Sequence, residues 1–129
     1  MGKMQRTKGA TAERELARLL SERLGVEIVR NLEQSRSGGH DLAGVGAFAL
    51  EVKRCETLSI SAWWNQATSQ AERCGLRPAL AYRQSRKPWR FMVRLCDLAE
   101  NLTGEETAEL CLEGFCLLVR EGATRKLKR

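Results

Sequence analysis

The sequence predicts an α/β domain in which helices flank a mixed β-sheet, and three observations lead to this prediction. Leucines recur at helical spacing over residues 11–24, which indicates an amphipathic helix. Several later segments alternate apolar and polar residues, as half-buried strands do. Glycine and proline separate these segments, and the order helix, three strands, helix, two strands with trailing helices suits an α/β domain. The 129 residues are enough for one domain with a core.

The first half of the chain begins with a polar, basic stretch over residues 1–8, which we expect to form a loose arm. The helix over residues 11–24 follows, and Gly25 is a good helix stop. A first strand is predicted over residues 26–32, and the serine- and glycine-rich residues 35–39 form a loop by composition. Two short strands around a glycine turn come next.

The second half opens with a helix that Ser59 or Ser61 caps and that runs to about Arg73, before Gly75. Strands are predicted over residues 79–83 and 89–95, each just after a proline. We expect helix-like segments over residues 96–113, and the apolar run 115–120 is ambiguous between helix and strand.

Charge divides the chain into unequal parts. The formal net charge is +6 at pH 7, which favours an acidic partner such as nucleic acid. Residues 97–121 hold seven acids against the single base Arg120. We therefore expect one domain made of a basic arm (1–8), a core (9–95), an acidic extension (96–121) and a basic tail (122–129). Polyanion binding should reside in the N-terminal two thirds, with the tail as an auxiliary.

Five cysteines are present, and no two have the C-x-x-C spacing of a zinc or redox site. Their odd number argues against a disulfide framework, so free thiols in a reducing compartment are expected. No apolar run approaches the ~20 residues of a membrane span, and the N-terminus lacks the apolar region of a signal peptide. The expected location is the cytoplasm of a prokaryote or of a phage-infected host.

Two carboxylates and a lysine in residues 41–53 are the strongest chemical signal. If the turn centres on Gly46, Asp41 lies across from Glu51, and alternation puts both on the same face as Lys53. Opposed carboxylates repel each other, so their retention points to a cation held between them. Mg²⁺ prefers oxygen ligands and assists phosphodiester hydrolysis, and Mn²⁺ is the expected substitute.

Other groups can complete such a site. The Val52 carbonyl lies between Glu51 and Lys53 in the sequence and could reach the ion. The Lys53 ammonium can hold the attacking water or a phosphate oxygen. Glu13 lies off the leucine face of the first helix and could approach the sheet from the side. Glu15 is its rival, for which we favour a solvated position.

The order of these motifs resembles that of the archaeal and phage Holliday-junction resolvases of the PD-(D/E)xK nuclease superfamily. The resemblance covers residues 8–83 and rests on Lys-Gly-x-x-x-Glu-Arg, a serine-rich loop, x-Asp-Leu, Glu-Val-Lys and a helix that carries glutamine. It implies a restriction-endonuclease-like αβββαβ core and a homodimer with two Mg²⁺-dependent active sites that nicks four-way DNA junctions. His40 stands where the family has proline before the aspartate.

Residue roles follow from the resemblance. It implies that Glu13, Asp41, Glu51 and Lys53 are the catalytic set, with the three acids at the metal. Gln66 or Gln70 corresponds to the glutamine of the second helix, although hydrogen bonding at the edge of the core is as good an explanation. Ser35 or Ser37 corresponds to a loop serine near the scissile phosphate. The predicted DNA contacts are Lys8, Arg30, Ser35, Arg36, Ser37, Arg54, Gln66 and Gln70.

Several alternatives stay open at this stage. Arg30 and Arg54 also fit ordinary surface charge, whereas Arg36 lies in the glycine loop and is the better phosphate contact. Trp63 and Trp64 suit helix packing or a dimer contact better than stacking on a base. A restriction-like or repair nuclease with another DNA substrate is the first alternative function. A non-catalytic DNA-binding or packaging accessory protein is the second.

Overall fold

The computed structural model describes residues 2–31, 41–99 and 101–122, with side chains for 9–31, 41–99 and 101–121. The elements follow the predicted order of helix, three strands, helix and two strands, after which a sixth strand and a third helix complete the domain. The helices are α1 Gly2–Leu24, α2 Ile60–Cys74 and α3 Leu112–Gly122, with a single 3-10 turn at Leu95–Asp97. The strands are β1 Val29–Arg30, β2 Leu42–Ala43, β3 Phe48–Arg54, β4 Arg77–Arg83, β5 Arg90–Arg94 and β6 Thr107–Leu110.

The six strands form one sheet in the order β1-β2-β3-β4-β5-β6. The β3 and β4 strands run parallel and are joined by α2, whereas every other neighbouring pair is antiparallel. A parallel pair needs a crossover of this kind, because a tight turn can only reverse the chain. The predicted α/β class with a mixed central sheet is confirmed.

Helices cover both faces of the sheet. On one face, α1 and α3 enclose the main core, in which Phe115 stacks on Phe91 at 4.5 Å between ring centroids and contacts Phe48 at 5.5 Å. On the other face, α2 packs Trp63 and Ala67 against β4. Because both faces are covered, every residue of β3 from Phe48 to Val52 is buried.

The turn between β2 and β3 sets the register of the site. Leu42 pairs with Leu50, the pairing that a turn centred on Gly46 predicts. Gly44 and Gly46 both have positive φ, at 97° and 58°, where glycine carries no steric penalty. A Cβ on Gly44 would lie 2.7 Å from the carbonyl oxygen of Glu27, so the turn also packs closely on the segment before β1.

Three predictions about the elements are corrected. The first helix begins at Gly2, so residues 2–8 belong to α1 and form no loose arm; they contain no proline and several good helix formers. The first strand is limited to Val29–Arg30. Residues 96–113 are not helical throughout, because β6 lies within them and pairs with β5. The ambiguous run 115–120 is part of α3, whose inward residues complete the main core.

The acidic extension packs onto the domain and neutralises part of its positive charge. Asp97 is buried and accepts ion pairs from Arg77 and Arg94. On β6, Glu109 pairs with Arg90 at 2.9 Å. Arginines of the core therefore form ion pairs with several of the acidic residues. The extension itself supplies the edge strand β6 and the covering helix α3. None of the described helices is long and apolar enough to span a membrane.

Candidate active site at the end of β2 and β3

Asp41 is held against β3 at the point where β2 leaves the regular ladder. Its backbone N–H donates to the Leu50 carbonyl at 3.0 Å, one residue short of Glu51. Its Oδ2 accepts a hydrogen bond of 2.7 Å from the Val52 N–H. The carboxyl groups of Asp41 and Glu51 are within hydrogen-bonding contact of each other. The carboxylate pair predicted from the turn is therefore formed.

Both carboxyl groups are buried, at 5% exposure for Asp41 and 2% for Glu51. Burial, followed by the charge of Glu51, raises the pKa of Asp41 to about 8, and the Val52 N–H opposes this shift. Burial also raises the pKa of Glu51, and Lys53 opposes that rise. Without a cation, the raised pKa values of both groups favour a proton on the pair at neutral pH.

Lys53 lies on the same face of β3 as Glu51, as the alternation predicts. Its Nζ is 3.4 Å from Glu51 Oε2, and its side chain is 25% exposed. The ammonium group of Lys53 thus contacts the buried Glu51 carboxylate, and the side chain is still partly exposed to solvent. A cation in this position can hold an anionic group that approaches from outside.

Glu13 reaches the same site from α1. Its negative charge raises the pKa of both Asp41 and Glu51, which places it in their electrostatic neighbourhood. The Arg30 Nε donates to Glu13 Oε1 at 2.8 Å and fixes the position of this carboxylate. Glu15 points elsewhere, because it accepts hydrogen bonds from Arg83 and from the Trp89 indole. The preference for Glu13 over Glu15 agrees with this geometry, although Glu15 is half-buried and ion-paired and does not lie on a fully solvated face.

The residues predicted to contact DNA differ in their burial and in their hydrogen-bond partners. Arg30 uses its Nε on Glu13. Arg54 follows Lys53 at the end of β3, and its Nε is buried without a hydrogen-bond partner among the described residues. Gln66 is exposed on α2, whereas Gln70 is buried against the sheet at 6% exposure. The two glutamines therefore have separate environments, which their spacing of one turn did not indicate.

The remaining predicted contacts lie outside the described part of the chain. Lys8 belongs to α1, but its side chain is not among those described. Ser35, Arg36 and Ser37, together with His40, fall in residues 32–40. Their roles stay predictions.

Comparison with known proteins decides the family. Residues 4–113 match the model of a family described as "Phage putative PDDEXK endonuclease". This match covers most of the chain, including all four residues of the predicted catalytic set. The chain belongs to this family. It is therefore a nuclease of the PD-(D/E)xK superfamily, as its motifs predict, and the reading as a non-catalytic accessory protein loses its support.

Solved structures and curated proteins add less to this assignment. The structure of this protein is similar to that of Hjc, a Holliday junction resolvase from the archaeal hyperthermophile Archaeoglobus fulgidus. The two sequences are 23% identical, the match covers 81% of this chain and 88% of the Hjc chain, and the TM-score is 0.49. No curated protein matches the sequence.

The donors of the nuclease suit a hard divalent cation. Asp41 and Glu51 offer carboxylate oxygens, and the N–H and C=O of one strand residue point the same way, so the Val52 carbonyl faces the side of Asp41. No group of three acidic, histidine or cysteine side chains within the described residues is close enough to hold an ion. Mg²⁺ does not require such a group, since it binds through one or two carboxylates and keeps several waters.

Two features of the nuclease site were not predicted from its sequence. The first is the Val52 N–H that holds Asp41, which depends on the departure of β2 from the ladder at that residue. The second is the pairing of Arg30 with Glu13, since the sequence indicated only that Arg30 was basic and near the site. The sequence indicated this pair only through the opposite charges of Glu13 on α1 and Arg30 on β1.

Proposed function

We propose that this nuclease is a Mg²⁺-dependent endonuclease that cuts branched DNA, and that it acts as a homodimeric Holliday-junction resolvase. The observation that carries the proposal is the buried carboxyl pair of Asp41 and Glu51 with Lys53 beside it. Such a pair holds a proton at neutral pH when no cation is present, which costs folding free energy. A protein retains this arrangement when a divalent cation replaces the proton in the working state.

Asp41 and Glu51 would hold the ion, together with the Val52 carbonyl, and Glu13 would contribute through a water. When bound, Mg²⁺ supplies a more acidic water and neutralises charge that develops on the phosphate. Mn²⁺ has the same ligand preferences and should substitute.

The protein's own side chains do the positioning. Lys53, fixed by Glu51, holds the attacking water or a non-bridging phosphate oxygen with its ammonium group. Arg30 pairs with Glu13 and fixes the position of its carboxylate. Arg54 has a buried Nε without an acceptor among the described residues, which supports a phosphate as its partner. These groups act on a phosphodiester regardless of base sequence.

Support for branched DNA as the substrate comes from the motif order over residues 8–83, which resembles that of junction resolvases. The formal charge of +6 agrees with a polyanion. A four-way junction presents two equivalent strands for cutting, and a dimer with one site in each subunit matches that symmetry. A restriction-like or repair nuclease that acts on another DNA is the alternative within the same superfamily.

The test is cleavage of an end-labelled four-way junction, flap, nicked duplex and plain duplex, with and without Mg²⁺. We expect symmetric nicks in the junction, little cutting of plain duplex, and no cutting without a divalent ion. Asp41→Ala should abolish cleavage and keep junction binding, whereas Glu22→Gln, an exposed glutamate of α1, should cut normally. Undiminished cutting by Asp41→Ala would refute the site, and equal cutting of all four DNAs would favour the alternative.

A further inference from the structure

The turn that joins β4 to β5 carries an arginine in an unusual backbone conformation. Arg86 has φ 64°, and among the described residues it is the sole non-glycine residue with positive φ. This left-handed region is unfavourable for a side chain that bears a Cβ, and arginine has no compensating local hydrogen bond of the kind that asparagine makes. An arginine at such a position carries a conformational cost, which points to a role for its side chain.

The turn is held rigidly by its neighbours. Gln84 donates from Nε2 to the Glu56 carbonyl at 2.7 Å, and the Ser85 hydroxyl donates to the Glu56 carboxylate. Within the turn, the Lys87 N–H donates to the Gln84 carbonyl at 3.1 Å, and Arg83 Nε donates to the Lys87 carbonyl at 2.9 Å. The exposed tip is therefore fixed relative to the segment that follows β3.

The tip carries two basic side chains against one nearby carboxylate, that of Glu56. Arg86 and Lys87 are both exposed, and neither has an acidic partner within the described ranges. The arginines at the base of the hairpin differ, since Arg83 pairs with Glu15 and Arg90 with Glu109. A cavity of about 240 Å³ opens beneath the tip. Its lining contains three bases and no acid, and it consists of Leu58, Tyr82, Arg83, Gln84, Lys87, Pro88 and Arg90.

The tip lies at the same end of the sheet as the candidate active site. In the parallel pairing of β3 and β4, Lys53 is opposite Tyr82 and Arg54 is opposite Arg83. Arg86 is four residues beyond Tyr82, so at ~3.3 Å per residue and ~4.8 Å between strands its Cα lies at most about 18 Å from that of Lys53. A duplex advances ~3.4 Å per nucleotide, so this span corresponds to at most about five nucleotides.

We propose that the β4–β5 hairpin tip, through Arg86 and Lys87, binds backbone phosphates of a duplex arm a few nucleotides from the scissile bond. The proposal rests on the function given above only in taking DNA as the substrate. Phosphate is a better ligand for the tip than an unstacked base, because the nearby aromatic residues Tyr82 and Trp89 are buried and offer no stacking surface. The tip then positions the duplex, whereas the carboxylate pair acts on the bond.

The first test measures DNA binding without cleavage, by fluorescence anisotropy of the full chain in EDTA over a range of KCl concentrations. Arg86→Ala/Lys87→Ala should bind both duplex and junction roughly tenfold more weakly and lower the slope of log K against log [salt] by about 2. Arg18→Ala/Arg120→Ala removes the same charge from exposed arginines near Glu22 and Arg23, away from the hairpin. This control should bind nearly as the wild type does. Wild-type affinity and slope in the hairpin variant would overturn the proposal.

The second test uses Arg86→Gly, which removes the charge and relieves the backbone at once. We expect a Tm higher by about 2–4 °C together with DNA binding weakened several-fold. An increase in both stability and affinity, or no change in affinity, would contradict a phosphate contact. A Tm at or below that of the wild type would count against the strain argument and hence against the proposal.

Failure of this inference is distinguishable from failure of the proposed function. The hairpin variants are read by binding in the absence of metal, whereas the proposed function is read by Mg²⁺-dependent cutting of different DNAs. If junction preference is absent but the hairpin variants still lose affinity for every DNA, the phosphate contact stands. If cleavage is junction-specific while the hairpin variants bind normally, only the hairpin assignment falls.

Discussion

Asp41→Asn should stabilise the metal-free protein while abolishing its cleavage of DNA. The asparagine keeps an acceptor for the Val52 N–H and a donor for Glu51, and it removes a carboxyl group that folding makes difficult to ionise. In the folded protein the pKa of Asp41 is about 8, against 3.8 for an ordinary aspartate. The folded state therefore takes up a proton that the unfolded chain has released at neutral pH.

The size and sign follow from proton linkage. Because the pKa is raised by folding, the wild type carries no penalty from Asp41 below pH 4, loses stability as pH rises from 4 to 8, and levels off above pH 8. At pH 7 about three pH units separate the solution from the unfolded pKa. At 1.36 kcal/mol per unit, the asparagine variant should be more stable by about 4 kcal/mol. This is a large part of the total stability of a domain of this size.

The assay is urea unfolding followed by circular dichroism, in EDTA, at pH 4, 5.5, 7 and 8. Asp97→Asn is the matched control, because Asp97 is equally buried but paired with Arg77 and Arg94. That substitution leaves two arginines less well paired and should destabilise by about 1–3 kcal/mol at pH 7. A stability difference between Asp41→Asn and wild type that is zero or negative at pH 8, or that does not change between pH 4 and 8, would refute the reasoning.

Three further outcomes are expected. Mg²⁺ or Mn²⁺ should raise the Tm of the wild type but not that of a variant lacking either buried carboxylate. The rise in Tm should grow from pH 6 to pH 8, because the cation competes with a proton. An equal rise in both proteins would exclude the carboxylate site. Arg30→Ala should lower the cleavage rate roughly tenfold at saturating DNA, because Glu13 loses the partner that fixes its position, and Arg30→Lys should restore part of the rate. An effect on DNA affinity alone would make Arg30 a phosphate contact. Phe115→Ala should destabilise by about 3–5 kcal/mol in urea unfolding because the ring is fully buried between Phe48 and Phe91, and a loss below about 1 kcal/mol would mean that α3 is not part of the core.

The central elements were predictable because local signals and tertiary packing agree there. The turn around Gly46 fixed the pairing of Leu42 with Leu50, and Gly75, in the left-handed conformation, ends α2 where expected. The strand β6 was missed because it is a short edge strand with alternating exposed positions and an acidic sequence, which reads like a helix surface. Only pairing with β5 makes it a strand.

The features of the candidate site likewise fall into those that the sequence predicts and those that depend on tertiary packing. Alternation along β3 was enough to place Glu51 and Lys53 on one face, and turn symmetry placed Asp41 opposite. The hydrogen bond from Val52 and the ion pair between Arg30 and Glu13 depend on how β2 deviates and how α1 is rotated. No periodicity in the sequence encodes such three-dimensional detail.

The close packing of the β2–β3 turn has a consequence for how this gene can vary. One residue inserted between Gly44 and Phe48 would shift the pairing of β2 with β3 by one position and turn Asp41 away from Glu51. A longer excursion would also have to clear the Glu27 carbonyl and Val119, which border the two turn glycines. Length changes in this turn should therefore be purged by selection, whereas the exposed segment over residues 101–106 should tolerate insertions.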